Sequence, residues 1–198
     1  MKNNSRFLVA PFFISGLAAL MYQVTWQRLL FVAFGVDIES ITVIVSTFML
    51  GLGFGALLGG QLADRFPDRI VRFFAGAEFL IGLFGLLSPH LISVVGYATV
   101  TEPLAVITIA NFILLLIPTT LMGATLPMLV AFLVRRNGNV GVSIGSLYFI
   151  NTLGAAFGAF TVGFFWLFYF DIITTIYCAA LFNFVAGTSV LIQFRGGK

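Results

Sequence analysis

Six long apolar stretches, each closed by a short turn carrying charge or proline, restrict this chain more than any other feature. They fall at about residues 7–35, 40–62, 71–87, 104–134, 142–165 and 172–194. A bilayer core is about 30 Å thick, so a spanning helix needs roughly 20 mostly apolar residues. In hydrocarbon a backbone must satisfy its own hydrogen bonds, which a helix does within one segment. The sequence therefore predicts an all-α integral membrane domain of about six transmembrane helices, with residues 1–198 as one unit. The fourth stretch is longer than a straight span requires, and Pro118 and Pro127 predict a kink in it. Residues 91–100 are apolar but short. They fit either a helix lying in the interface or a continuation of the third span.

Composition agrees and excludes much else. Apolar types make up 60% of the chain and charged types 9%, against roughly 25% charged in soluble domains. The length holds one compact membrane domain and leaves no room for a separate soluble catalytic domain. The 24 phenylalanines read as greasy surface for lipid and as filler between helices. A net charge of +3 would raise nucleic acid as a partner for a soluble protein. Here the basic residues sit in short loops, where orientation in the membrane accounts for them. Cys178 is the one cysteine and His90 the one histidine. Neither disulfide, metal nor other cofactor is expected from them. The polar start, residues 1–6, leads into an apolar run of roughly 28 residues, which predicts a retained first helix and not a cleaved signal.

The basic residues divide the bundle into two ends. Lys2 and Arg6, then Arg65, Arg69 and Arg72, then Arg135 and Arg136, then Arg195 and Lys198 all fall on one side of a six-span arrangement. The opposite turns hold Asp37, Glu39, Glu102 and Asp171, without Lys or Arg. Only Arg28 departs from the pattern. The positive-inside bias then places both termini in the cytoplasm.

Polar groups inside a span are costly and mark candidate sites. On the first helix these are Tyr22, Gln23, Trp26, Gln27 and Arg28. The i, i+3 and i+4 spacings of Gln23, Trp26 and Gln27 place them on one stripe. Arg28 is expected either to snorkel or to pair with Asp37, Glu39 or Asp171. Glu78 is the one acidic residue well within an apolar span, about 9 Å from its charged end at 1.5 Å per residue. It fits a proton or cation site, or a packing hydrogen bond to Asn151, Tyr148 or Asn111. Asn111, Tyr148 and Asn151 themselves fit interhelical hydrogen bonding or a ligand contact. Glycines four apart, at 51, 55 and 59, at 141 and 145, and at 154 and 158, give the second and fifth helices faces for close approach. Such faces serve tight packing, or sliding during alternating access.

Two resemblances follow from longer blocks. Gly60, Asp64, Arg65 and Arg69 resemble the signature loop between helices two and three of major facilitator transporters. In it Gly60 is expected to allow a close crossing, and Asp64 to accept from helix N-terminal amides. Four blocks, at residues 15–30, 59–65, 118–127 and 145–159, resemble the membrane domain of the bacterial fused major-facilitator-like transporter/spermidine synthase family, without its synthase domain. That resemblance implies one half of a major facilitator fold in a bacterial inner membrane, which requires a second copy or another subunit. It implies a transporter-like module for polyamines or other small organic cations. The alternative is a non-transporting anchor or accessory subunit for a separate soluble synthase-like partner. No enzymatic activity is expected of the chain, since no catalytic dyad accompanies the spans.

Overall fold

The apolar runs are helical. The structure, a computed structural model, describes residues 3–34 and 37–194. Six helices in it are long and apolar enough to cross a membrane. They are α1 (Asn3–Phe34), α2 (Asp37–Arg65), α3 (Ile70–Thr99), α4 (Leu104–Asn137), α5 (Val140–Thr161) and α6 (Ile172–Phe194). A π turn, Val162–Trp166, carries α5 on to a last turn at Leu167–Tyr169. No strand occurs among the described residues.

Of the two arrangements left open for residues 91–100, the structure shows the continuation: α3 does not stop near residue 87 but runs through Pro89 to Thr99 as one helix. The fourth helix likewise continues through Pro118 and Pro127 and adds a turn, to Asn137, beyond the apolar run. Its end is set by Gly138, which adopts φ +69° and donates its N–H to the Val134 carbonyl at 2.8 Å. A left-handed residue that closes a helix is the position where glycine costs least. Asn139 then caps α5, its Oδ1 accepting from the Val142 N–H at 3.0 Å. A sharp stop and start are thereby coded in adjacent residues.

The helices pack in a pattern that repeats within the chain. The heaviest pairings are α2 with α4, α1 with α5 and α3 with α6, followed by α3 with α4 and α1 with α6. Exchanging α1, α2 and α3 for α4, α5 and α6 maps this pattern onto itself. The correspondence holds at single residues. At the α1–α5 crossing, a β-carbon on Gly16 would strike the Asn151 backbone, and those on Gly154 and Gly158 would strike Phe13 and Leu17. At the α2–α4 crossing, Gly123 lies against Leu52 in the same way, and Gly55 and Gly59 against Thr120 and Ala124. From Phe13, Gly16 and Leu17 to Thr120, Gly123 and Ala124 is in each case a step of 107 residues. From Leu52, Gly55 and Gly59 to Asn151, Gly154 and Gly158 it is 99. The third pair closes the symmetry on itself. Gly82 faces the Ala180 carbonyl and Gly187 faces that of Ala75, both at 3.2 Å from the added carbon.

Consecutive spans run in opposite directions, so α1 and α4 point opposite ways. The chain is an inverted three-plus-three repeat whose pseudo-twofold axis passes through the α3–α6 crossing. Tyr22, Trp26, Phe48, Phe74 and Ile81 are fully buried between the two halves, while Phe, Leu, Ile and Val side chains cover the outside. Such a surface suits lipid, since it has no polar cover with which to meet water.

Candidate functional site

The polar groups that the fold gathers sit where α1, α3 and α6 meet. Glu78 is completely buried on α3. Ser15 Oγ of α1 donates to its Oε1 at 2.6 Å, and Asn183 Nδ2 of α6 donates to its Oε2 at 2.8 Å. Among the described residues no basic side chain lies within 4.0 Å of the carboxyl group. Glu78 and Asn183 are themselves repeat mates, 105 residues apart, and so are Phe79 and Phe184, whose rings stand 6.1 Å apart. The sequence carries this as Ala75-x-x-Glu78-Phe79-x-x-Gly82 against Ala180-x-x-Asn183-Phe184-x-x-Gly187. The pair lies on the pseudo-twofold axis, with an acid on one side and an amide on the other. Asn183 Oδ1 has no hydrogen-bond partner among the described residues.

Nearer the opposite end, Trp26 Nε1 donates to Ser88 Oγ at 2.8 Å, and Ser88 Oγ donates to the Gly85 carbonyl at 2.9 Å. Tyr22 stacks on Trp26 with ring centroids 4.7 Å apart. Its hydroxyl lies against Gly85, where any β-carbon would collide with it, and finds no hydrogen-bond partner among the described residues. Ser15, Glu78 and Asn183 thus form one polar station, and Tyr22, Trp26 and Ser88 a second, along one interface.

The other predicted residues are placed apart from this core. The stripe on α1 is split, with Trp26 buried while Gln23 and Gln27 are half-buried and Arg28 is exposed. Asp171 is not within ion-pairing distance of Arg28, and the side chains of Asp37 and Glu39 lie outside the described residues. Asn111 is buried, but its Nδ2 donates to the Ile107 carbonyl of its own helix at 2.9 Å. Tyr148 is exposed, and Asn151 meets α1 at Gly16 with both its backbone carbonyl and its side-chain Oδ1. None of the three expected partners bonds to Glu78. Sequence reasoning missed Ser15, Ser88 and Asn183, and the repeat of the Glu78 block in α6 was the signal that could have found Asn183.

The loop between α2 and α3 also differs from expectation in part. The close approach to α4 is made by Gly59, and nothing lies within 4 Å of a β-carbon on Gly60. The two are a helical step apart, which turns Gly60 away from the crossing. Asp64 faces Arg135 at 3.9 Å and not a helix N-terminus. Arg135 also donates to the Ala63 carbonyl at 3.1 Å, tying α4 to the end of α2. Arg65 and Arg69 flank Phe66, at 5.5 and 5.9 Å from its ring centre.

Against known proteins the chain has partial likenesses. It is 24% identical over 186 residues to a polyamine aminopropyltransferase of Oceanobacillus iheyensis, covering 92% of this chain and 34% of that protein. It is 41% identical over 56 residues to the 4-hydroxybenzoate transporter PcaK of Pseudomonas aeruginosa, covering 28% of this chain and 12% of the transporter. The chain therefore spans about a third or less of the curated relatives it matches. No family model and no solved structure matches it. Fold and likeness together define a multi-pass, transporter-like membrane module.

Proposed function

We propose that this chain forms half of a membrane transporter for small organic cations, polyamines being the first candidates. The observation that carries the reading is the inverted three-plus-three repeat with a buried acid–amide pair on its axis. Inverted repeats are a recurrent plan of secondary transporters, because the two repeats can exchange roles between two states of access. The likeness to PcaK supports transport, and the likeness to the aminopropyltransferase supports the polyamine assignment. Half-buried Gln23 and Asn151 on the α1–α5 side favour a second copy or another membrane subunit as the complement. The basic turns favour a bacterial inner membrane with both termini in the cytoplasm. No catalytic step is assigned to this chain. The test is flux of labelled putrescine and spermidine into proteoliposomes, with the particle mass measured in a lipid disc. Uptake by a dimer supports the proposal. Purified protein that moves neither compound overturns the substrate, and an active monomer overturns the half-transporter assembly.

A second reading rests on the coverage of the aminopropyltransferase, which extends well beyond the part matched here. In it the bundle anchors a soluble synthase-like partner and transports nothing. A stoichiometric soluble partner co-purifying with a flux-inactive bundle favours this reading over the first.

A further inference from the structure

At the arginine-bearing end a cavity of about 850 Å³ opens between α3, α4 and α6, lined among others by Asp68, Arg72, Phe79, Arg136, Thr188 and Ile192. It is separate from the polar core, although Phe79 forms part of its wall and stands next to Glu78 in sequence. Arg72 and Arg136 reach it from different helices. The Arg136 guanidinium is held over two aromatic faces, 4.5 Å from the Phe132 ring centre and 5.2 Å from that of Phe194. Such cation–π contacts hold a guanidinium in place at the mouth of the cavity. Among the described residues neither arginine has a carboxylate within 4.0 Å. Asp68 is the single acid in the lining, so the mouth has a net positive charge.

The wall below the arginines is apolar. Phe79 lies seven residues beyond Arg72 on α3, about 10 Å deeper at 1.5 Å per residue. On α6, Thr188 is the lone hydroxyl of the lining, and Leu191 and Ile192 lie nearer the arginine-bearing end, since Gly187 already faces Ala75. A soluble anion would use the mouth and leave this wall empty. A lipid has both parts, a phosphate for the arginines and an acyl chain for the wall. Basic pockets between membrane helices recognise anionic headgroups in this way.

We infer that this cavity is a binding site for one anionic phospholipid, its phosphate held by Arg72 and Arg136 and one acyl chain running past Ile192 at the mouth onto Phe79. The inference does not depend on transport. The test uses the whole chain reconstituted in phosphatidylcholine with or without phosphatidylglycerol, followed by native mass spectrometry. One phosphatidylglycerol should remain bound per chain. Affinity should fall roughly fivefold for each arginine in Arg72→Gln and Arg136→Gln, the weight of one basic side chain at a membrane surface. Arg65→Gln, which alters the same end outside the cavity, should leave retention unchanged. Ile192→Trp, which fills the apolar wall and keeps both arginines, should also lower retention. Equal retention of phosphatidylcholine, or undiminished retention in the double arginine variant, overturns the site. Thermal protection by inorganic phosphate alone, equal to that by phosphatidylglycerol, assigns the mouth to a free anion and overturns the lipid.

Discussion

Glu78 is held by two neutral donors in a fully buried setting. A carboxyl group at that depth must be neutral, paired or next to water, and its donors suffer if it is removed. Glu78→Ala leaves the Ser15 hydroxyl and the Asn183 amide without their acceptor, so a loss of about 1–3 kcal/mol is expected, with a cavity cost added. Glu78→Gln keeps the shape. Its new N–H can be accepted by Asn183 Oδ1, now unpartnered, once that amide turns over. Thermal melts in detergent should therefore rank wild type and Glu78→Gln together, above Glu78→Ala. Equal melts for all three remove the packing role. If flux is proton-coupled through this group, Glu78→Gln abolishes its pH dependence while folding stays intact. At the surface, the Thr174 hydroxyl, together with backbone amides at the start of α6, holds the exposed Asp171 carboxyl below its ordinary range. A depressed folded value contributes stability above the unfolded value and loses it as pH falls through the folded one. The advantage of wild type over Asp171→Ala should thus be present at neutral pH and vanish in acid, as read from melts across that range. The apolar run around Glu78 made its burial legible in the sequence. Its partners were not, because Ser15 and Asn183 look ordinary until the helices that carry them are placed side by side.

Among elements, the two long crossings depend on glycine in equivalent places. Adding a β-carbon to Gly55 or Gly59 drives it into the α4 backbone, and adding one to Gly154 or Gly158 drives it into α1. Backbone cannot move aside as a side-chain tip can, so the helices must separate and lose contact along their length. Gly55→Ala and Gly154→Ala should each destabilise the bundle by about 1–3 kcal/mol, the usual cost of overpacking. Gly53→Ala and Gly60→Ala, where nothing lies within 4 Å, should be neutral or slightly stabilising, since alanine is the better helix former. Equal losses at all four positions in detergent melts would show that the crossing does not set the effect, since helix propensity alone predicts a gain. The spacing of glycines made close faces legible, but not which ones are used. Gly141 and Gly145 share a spacing with Gly154 and Gly158, yet only the latter pair meets α1. The repeat was also present in the sequence. It stayed hidden because few identities survive and because turns of different length give each helix pair its own offset.

At the scale of the molecule, an inverted repeat raises a question of orientation that its symmetry alone leaves open. Turning the bundle over about its pseudo-twofold axis exchanges α1–α3 with α4–α6 and leaves the packing plan unchanged, so packing cannot decide which end faces the cytoplasm. Charge can. The turns at residues 66–69 and 138–139 are flanked by Arg65, Arg69, Arg72, Arg135 and Arg136, while those at residues 100–103 and 170–171 carry Glu102 and Asp171 and no basic residue. Short loops of this kind orient a membrane protein by their Lys and Arg content. The expected outcome is a single topology with the arginine-bearing turns inside. After Cys178→Ser removes the native thiol, a cysteine placed at Phe66 should react with an impermeant maleimide only in inverted vesicles. One placed at Thr101 should react in intact cells. Both positions reacting from the same side would break the six-span order. Partial labelling of each from both sides would mean that the chain inserts both ways, and that the charge asymmetry is too weak to override the symmetry of the repeat. Replacing Arg69 and Arg72 together with Gln should then be the sharpest probe. It removes two of the three arginines of one turn without touching a helix crossing, so any rise in two-sided labelling must come from charge.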